Sequence, residues 1–299
     1  TTGAVGVVGG DEPATDAGPD GGPDAAPVPG TGLGGGEMAR GENRVLIEVS
    51  ESPFDAPNEP GVARLACVSA RFDAKQRTFT DIGQLNCPAQ AGGQPFSMSV
   101  DREGTAWVLY SSGELFEVST TDASCEATGF QPGQNGYDVF GMGFSLNNTT
   151  SDRETLYVAG GEGPGAGSPR IGYITFPDLA IKDVTSIGGW PEMSGTAAAE
   201  LWAFFPNPVE GAARVSRVIP ATGEEVETIA VDSLITGQPN AWAFAHWGGN
   251  FYLFYKSQAD ASTNVFEVTR DGGIEEVIHD SGRYIVGAGV STCAPLIIQ

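Results

Sequence analysis

The chain has 299 residues, with 38 acidic side chains against 15 basic ones and a net charge of -23. That balance excludes polyanionic partners, because nucleic acid and anionic lipid are drawn to clustered Lys and Arg and no window here offers such a patch. No stretch approaches the roughly 18 consecutive apolar residues of a membrane-spanning helix. The acidity reads as a device for solubility, with binding of cations or of a basic partner as the minority reading.

Residues 1–42 come first. They are Gly, Pro, Ala and Asp in phrases such as "DEPATDAGPDGGPDAAPVPGTGLGGG", with almost no large apolar side chain to offset the entropy of ordering. The segment reads as a disordered acidic tether, and a flexible coil of that length has an end-to-end distance of about 35 Å. A chain that opens on Thr1 with such a tether reads as a processed product, with a secretion signal or lipid-modified Cys expected just upstream.

The body, 43–299, reads as strands throughout. "NRVLIEVS", "ARLACVSARF" and "RTFTDIGQL" supply three strands, and the prolines between Glu51 and Gly61 make that segment a loop. A longer phrase then recurs: a small-residue strand, a tight acidic or Gly turn, and an aromatic strand. It appears as "PFSMSVDREGTAWVLY", "FGMGFSLNNTTSDRETLYVAG", "MSGTAAAELWAFF" and "AWAFAHWGGNFYLFY", and its first strand returns alone as "YIVGAGVSTCAP". Each full copy is followed by two alternating strands bounded by turn formers, such as "GELFEVST" with "CEATGF" or "TNVFEVTR" with "IEEVIHD". A repeat of about 40 to 50 residues built from short strands is the mark of a β-propeller. Four complete units stand between an N-terminal set lacking an inner strand and a C-terminal inner strand lacking its outer three. The expectation is an all-β propeller of five four-stranded blades, closed by strands from both termini sharing one blade. A β-sandwich competes, but gives no reason for the recurrence.

Cys67, Cys87, Cys125 and Cys293 are widely spaced and lack the CxxC pattern of zinc sites, so two disulfides are expected in a secreted setting. Cys87 with Cys125 would join two blades, and Cys67 with Cys293 would link the two ends of the body. Four unbridged buried thiols are the alternative.

The phrases "PFSMSVDREGTAWVLYSSGELFEVSTTDASCEATGF", "FGMGF", "AWAFAHWGGNFYLF" and "IVGAGVSTCAP" also carry a resemblance. From about Cys87 to Pro295 the chain resembles a group of secreted, often lipid-anchored myxobacterial propeller-like proteins without an assigned activity. The resemblance implies topology and an extracytoplasmic location, and no catalytic residues. The group's "ELTGTGDG" turn is here "EMSGTAAAE", which has lost a Gly and an Asp.

Chemistry is sparse. Glycoside cleavage needs two carboxylates across one bond, yet the expected inner strands "FSMSV", "FGMGFSL", "SGTAAA", "AWAFAH" and "IVGAGVST" hold no acid. Asp101, Asp138 and Glu192 only flank them, and Asp101 with Glu103 sits in a "DxxGxxW" turn where an Asx side chain holds its own backbone. His246 and His279 are the only histidines, and His246 reads as a turn residue. "GGEGPGAGSPR" lacks the Lys-Ser/Thr pair of a phosphate loop. Trp107, Trp202 and Trp242 read as packing between blades, whereas Trp190 stands in the Gly-Pro loop "IGGWPEMSG" on the face where propellers bind. The candidate ligand rim is Tyr137, Asp138, Trp190, Glu192, Asn240 and Tyr284, aromatic faces beside polar partners that suit a sugar or a peptide. The sequence therefore points to a non-enzymatic, extracytoplasmic binding or scaffold module for a protein or glycan, without cofactor or metal. A surface lectin or adhesin, a hydrolase and a structural subunit of a surface assembly are the alternatives.

Overall fold

The computed structural model describes residues 44–49 by their backbone and residues 67–163, 167–206 and 212–296 more fully. The expected tether at 1–42 and the Pro-rich segment from Glu51 to Gly61 lie outside the described residues.

Strands β1 (Arg44–Val49), β2 (Val68–Asp73) and β3 (Thr78–Gln84) form the outer part of the first sheet. The second sheet is β4 (Pro95–Val100), β5 (Thr105–Tyr110), β6 (Leu115–Ser119) and β7 (Cys125–Ala127). The third is β8 (Val139–Leu146), β9 (Glu154–Gly161), β10 (Arg170–Ile174) and β11 (Ile181–Ser186). The fourth is β12 (Glu192–Gly195), β13 (Leu201–Phe205), β14 (Arg214–Ile219) and β15 (Glu224–Ala230). The fifth is β16 (Pro239–Trp247), β17 (Asn250–Ser257), β18 (Asn264–Val268) and β19 (Ile274–Ile278). Finally β20 (Ile285–Gly289) returns to pair with β1, in the register Leu46↔Gly289, Ile47↔Ala288, Glu48↔Gly287 and Val49↔Ile285. The inner strands β4, β8, β12, β16 and β20 each neighbour the next, and β20 meets β4. This is a propeller of five four-stranded sheets whose closing blade is shared by the two ends of the body, and the closed ring rules out a sandwich.

The packing explains the sequence pattern. The second strand of each full blade buries both faces, so it reads as an unbroken apolar run: every residue of β13, "LWAFF", is buried. Leu201, Ala203 and Phe205 face the third sheet, packing with Tyr157 and Ile171. Trp202 and Phe204 face the fifth, packing with Phe244 and Phe251. The same division recurs around the ring and produces one apolar core between each pair of adjacent sheets. The fourth strands have a free edge and are mostly exposed or half-buried, the two alternating along most of β15.

Close approach of the inner strands demands small residues. A Cβ on Gly195 would lie 2.1 Å from the Phe144 carbonyl oxygen of β8. Serines on these strands then bridge to the neighbouring backbone: the Phe144 N–H donates to Ser99 Oγ at 2.9 Å, and the His246 N–H donates to Ser194 Oγ at 3.1 Å.

Three expectations need correction. The inner strand of the fourth blade is Glu192–Gly195, beginning two residues before "SGTAAA", so an inner strand does hold an acid, Glu192. Thr196 to Ala199 forms the hairpin turn instead, because Thr196 Oγ1 accepts the Ala198 N–H at 3.2 Å and so holds a local turn. His246 is the penultimate residue of β16, buried, rather than a turn residue. Cys87 and Cys125 are disulfide-bonded, but Cys67 and Cys293 are not joined. Val68 and Ile285 both pair with Val49, so Cys67 lies at the end of the sheet where β20 begins. Cys293 lies beyond the opposite end of β20, and the two cannot approach within the ~7 Å that a disulfide needs.

Candidate functional site: the channel mouth

The inner strands all run in one direction, so their first residues gather at one end of the central channel. There Pro95 and Phe96 of β4, Glu192 of β12, Asn240, Ala241 and Trp242 of β16 and Val286 of β20 line a cavity of about 50 Å³. That holds one small polar or apolar group; whole small-molecule sites run from about 300 Å³ upward. The walls are mostly apolar, with Asn240 and Glu192 as polar points.

Glu192 forms the floor. Ser97 Oγ of β4 donates to its Oε2 at 2.7 Å, and the Met142 backbone of β8 also bonds the carboxyl. Its side chain thus ties three inner strands across the channel. Burial pushes its pKa well above the usual carboxylate range, and these hydrogen bonds only partly oppose that.

Of the six expected rim residues, two line this cavity: Glu192 and Asn240. Tyr284 stands behind Asn240, its hydroxyl donating to Asn240 Oδ1 at 3.0 Å. Tyr137 is fully buried and donates to Asp183 Oδ1 at 2.8 Å, beneath the Arg170 guanidinium. Asp138 is exposed and its backbone N–H pairs with Gly161. Trp190 is buried with its ring over Gly161, so it is a packing residue rather than a rim aromatic. The aromatic side chains of the mouth are Phe96 and the half-buried Trp242; Trp242 packs against the core between the fourth and fifth sheets, as expected of it, and in addition reaches the cavity. The available signal was position: Trp242 follows Pro239-Asn240 at the entry of an inner strand, where side chains meet the channel opening.

The other end of the channel carries a second buried acid. Glu154 of β9 accepts the Arg102 N–H at 2.8 Å on Oε1 and the Thr292 hydroxyl at 2.7 Å on Oε2. It thereby joins the second and third sheets to the segment after β20. Burial, with Asp101 and Glu103 nearby as lesser causes, raises its pKa to about 8. Asp101 is raised by burial to about 6, while it holds the Thr105 N–H at 2.8 Å and the Trp107 indole N–H at 3.0 Å. The Asx role expected of Asp101 is therefore present.

A pH dependence follows. A folded pKa above the unfolded value of 4.5 means that the native state holds the Glu154 proton more tightly. Its stabilisation is complete below pH 4.5 and is lost as pH rises through about 8. His246 acts with the opposite sign: burial lowers it from 6.5 to about 4, so its share is complete above pH 6.5 and lost below about 4. Thermal melts from pH 5 to 9 are expected to show a falling Tm for the native chain and a shallower fall for Glu154→Gln, whose amide keeps both partners. Equal slopes would refute the assignment.

No protein-family profile matches the chain, and no curated protein sequence matches it. Similarity to solved structures is extensive at low identity. The chain is similar to an alpha-L-arabinofuranosidase from Clostridium thermocellum at 14% identity and a TM-score of 0.52, covering 82% of this chain and 93% of that one. It also matches a nidogen/laminin complex at 14% identity and a TM-score of 0.44, covering 75% and 76%. TolB from Acinetobacter baumannii matches at 11% and 0.43, covering 79% of this chain and 52% of that one. At such identities the arabinofuranosidase likeness speaks to the propeller fold alone.

Proposed function

We propose that this chain is an extracytoplasmic, non-enzymatic binding propeller that seats one end of a glycan or protein ligand at the channel mouth. The observation that carries the reading is the cavity itself: Phe96, Trp242 and Asn240 surround a single carboxyl, and that carboxyl is already held by Ser97 and the Met142 backbone. Ring faces beside an amide suit a sugar edge or a peptide turn. Glycosidases place two carboxyls about 5 to 10 Å apart across the scissile bond, whereas the buried acids Asp101 and Glu154 belong to the far end of the channel and buried Glu117 lies on the third strand of its blade, away from the inner strands. The Cys87–Cys125 disulfide supports an oxidising compartment, in agreement with the secreted proteins that the sequence resembles.

The test is binding of the full chain to an array of bacterial polysaccharides, glycans and surface proteins. Saturable binding that weakens about tenfold or more in Trp242→Ala and is indifferent to Asp138→Asn is the expected outcome. Turnover of any glycoside that is abolished by Glu192→Gln would replace the binding reading with a hydrolase. Binding untouched by Trp242→Ala would move the site away from the mouth.

A further inference from the structure

The dimensions and chemistry of the channel mouth narrow what it can seat. Its cavity of about 50 Å³ exceeds the roughly 10 to 15 Å³ that one water requires. It falls well short of the roughly 300 Å³ at which sites for whole small molecules begin. The cavity therefore takes a pendant group of a few heavy atoms, while the rest of the ligand stays outside.

The two polar points of the cavity are not equivalent. The Glu192 carboxyl is already engaged by Ser97 Oγ at 2.7 Å and by the Met142 backbone. Asn240 is held from behind, because the hydroxyl of buried Tyr284 donates to its Oδ1 at 3.0 Å. That contact orients the amide and leaves Nδ2 as a neutral donor for the cavity. Around it, Phe96, Ala241, Trp242 and Val286 supply apolar wall. Trp242 packs against the core between the fourth and fifth sheets, and Ala241 packs with Tyr284 and Val286. Donor and wall are thus set before a ligand arrives.

Charge completes the selection. None of the lining residues is basic, so a carboxylate or phosphate would enter unpaired beside the Glu192 carboxyl. An ammonium would lose its water against apolar surface, facing a carboxyl already bonded by its neighbours. A lone hydroxyl would satisfy Asn240 but leave the apolar wall uncovered. A carbonyl oxygen beside a methyl group meets every demand: it accepts from the amide, covers the wall and carries no charge. We infer that the mouth seats the acetamido group of an N-acetylated amino sugar, with its carbonyl oxygen on Asn240 Nδ2 and its methyl against Ala241 and Val286. The sugar ring then rests outside on Phe96 and Trp242, to which a pyranose presents a flat C–H face. An acetylated amine of a polypeptide shares the acetamide but arrives on a flexible chain whose ordering opposes binding. This assignment rests on the binding role proposed for the mouth and names the ligand class.

Titration of the full chain with the methyl glycosides of N-acetylglucosamine and N-acetylgalactosamine, against those of glucosamine and glucose, tests it. Saturable binding of at least one N-acetylated sugar is expected, about tenfold or more tighter than its counterparts, with the strongest NMR saturation transfer at the acetyl methyl. Asn240→Asp keeps an oxygen for Tyr284 but lacks the donor, and should weaken binding about tenfold. Ala241→Leu fills the cavity and should abolish binding; Asn240 is only half-buried, so its variant keeps the test decisive should Ala241→Leu fold poorly. Equal binding of glucose or glucosamine glycosides, indifference to Asn240→Asp, or no saturable binding of either N-acetylated sugar would overturn the acetamido assignment. Tighter binding of a peptide bearing one acetyl-lysine would replace the sugar with a polypeptide. If another glycan or a surface protein then binds and Trp242→Ala weakens it, the mouth remains the binding site and only the ligand class fails.

Discussion

Alanine at Gly195 is expected to destabilise the fold by about 3 kcal/mol or more, at the upper end of overpacking effects. The added Cβ would lie 2.1 Å from the Phe144 carbonyl oxygen, 2.5 Å from Ser145 Cα and 2.8 Å from Ser145 Cβ. Two of those atoms are backbone, and β8 cannot retreat without shifting the remaining inner strands of a closed ring. Gly287 offers a graded comparison, because a Cβ there meets Met98 Cγ and the Met98 nitrogen at 3.1 Å, tight but not overlapping. Denaturant titration should rank Gly195→Ala well below Gly287→Ala, with Ser194→Ala milder than Gly195→Ala because it loses only the hydrogen bond from the His246 N–H. A tolerated Gly195→Ala would mean that the inner strands are not held as closely as described.

Breaking the disulfide is expected to cost about 4 kcal/mol. Cys87 and Cys125 close a loop of sequence separation 38, and chain-entropy arithmetic for a loop of that length gives roughly this figure. The link fastens the crossover from the closing blade to the outermost strand of the next, beside the core of Met98, Val108, Phe116 and Val118. Paired Cys87→Ser and Cys125→Ser replacements should lower the denaturation midpoint, and reductant should reproduce the effect on the native chain while leaving the double variant unmoved. A loss under about 1 kcal/mol would show that the unfolded chain gains little freedom from losing the bridge.

Much of the architecture was legible because it rests on local rules. Turn formers at regular spacing, two-sided apolar strands and one-sided alternating strands identify a blade, and the leftover strands at either end could only complete each other. "SGTAAA" misled because the recurring phrase aligned it with inner strands, while the Thr196 hydroxyl holds the hairpin turn within it. The site was less legible, since it depends on contacts between distant segments. Trp190 looked exposed in its Gly-Pro loop, yet Gly161 leaves a bare surface for its ring to cover. Glu192 seemed merely to flank a strand, and nothing near it in sequence announces that Ser97 and Met142 converge on its carboxyl. Likewise the spacing of Cys67 and Cys293 carries no information about which end of the sheet each occupies.

The shared blade also has a mechanical meaning. Leu46, near the start of β1, is paired with Gly289, the last residue of β20, so both ends of the chain leave the sheet on the same side. A load applied between the two ends would therefore peel this antiparallel pair, rupturing its hydrogen bonds one after another from Leu46–Gly289 toward Val49–Ile285 rather than shearing them together. Held by one end alone, the molecule would carry no tension across that seam. Such a ring suits attachment at a single terminus, and would open like a zipper if stretched between two anchors.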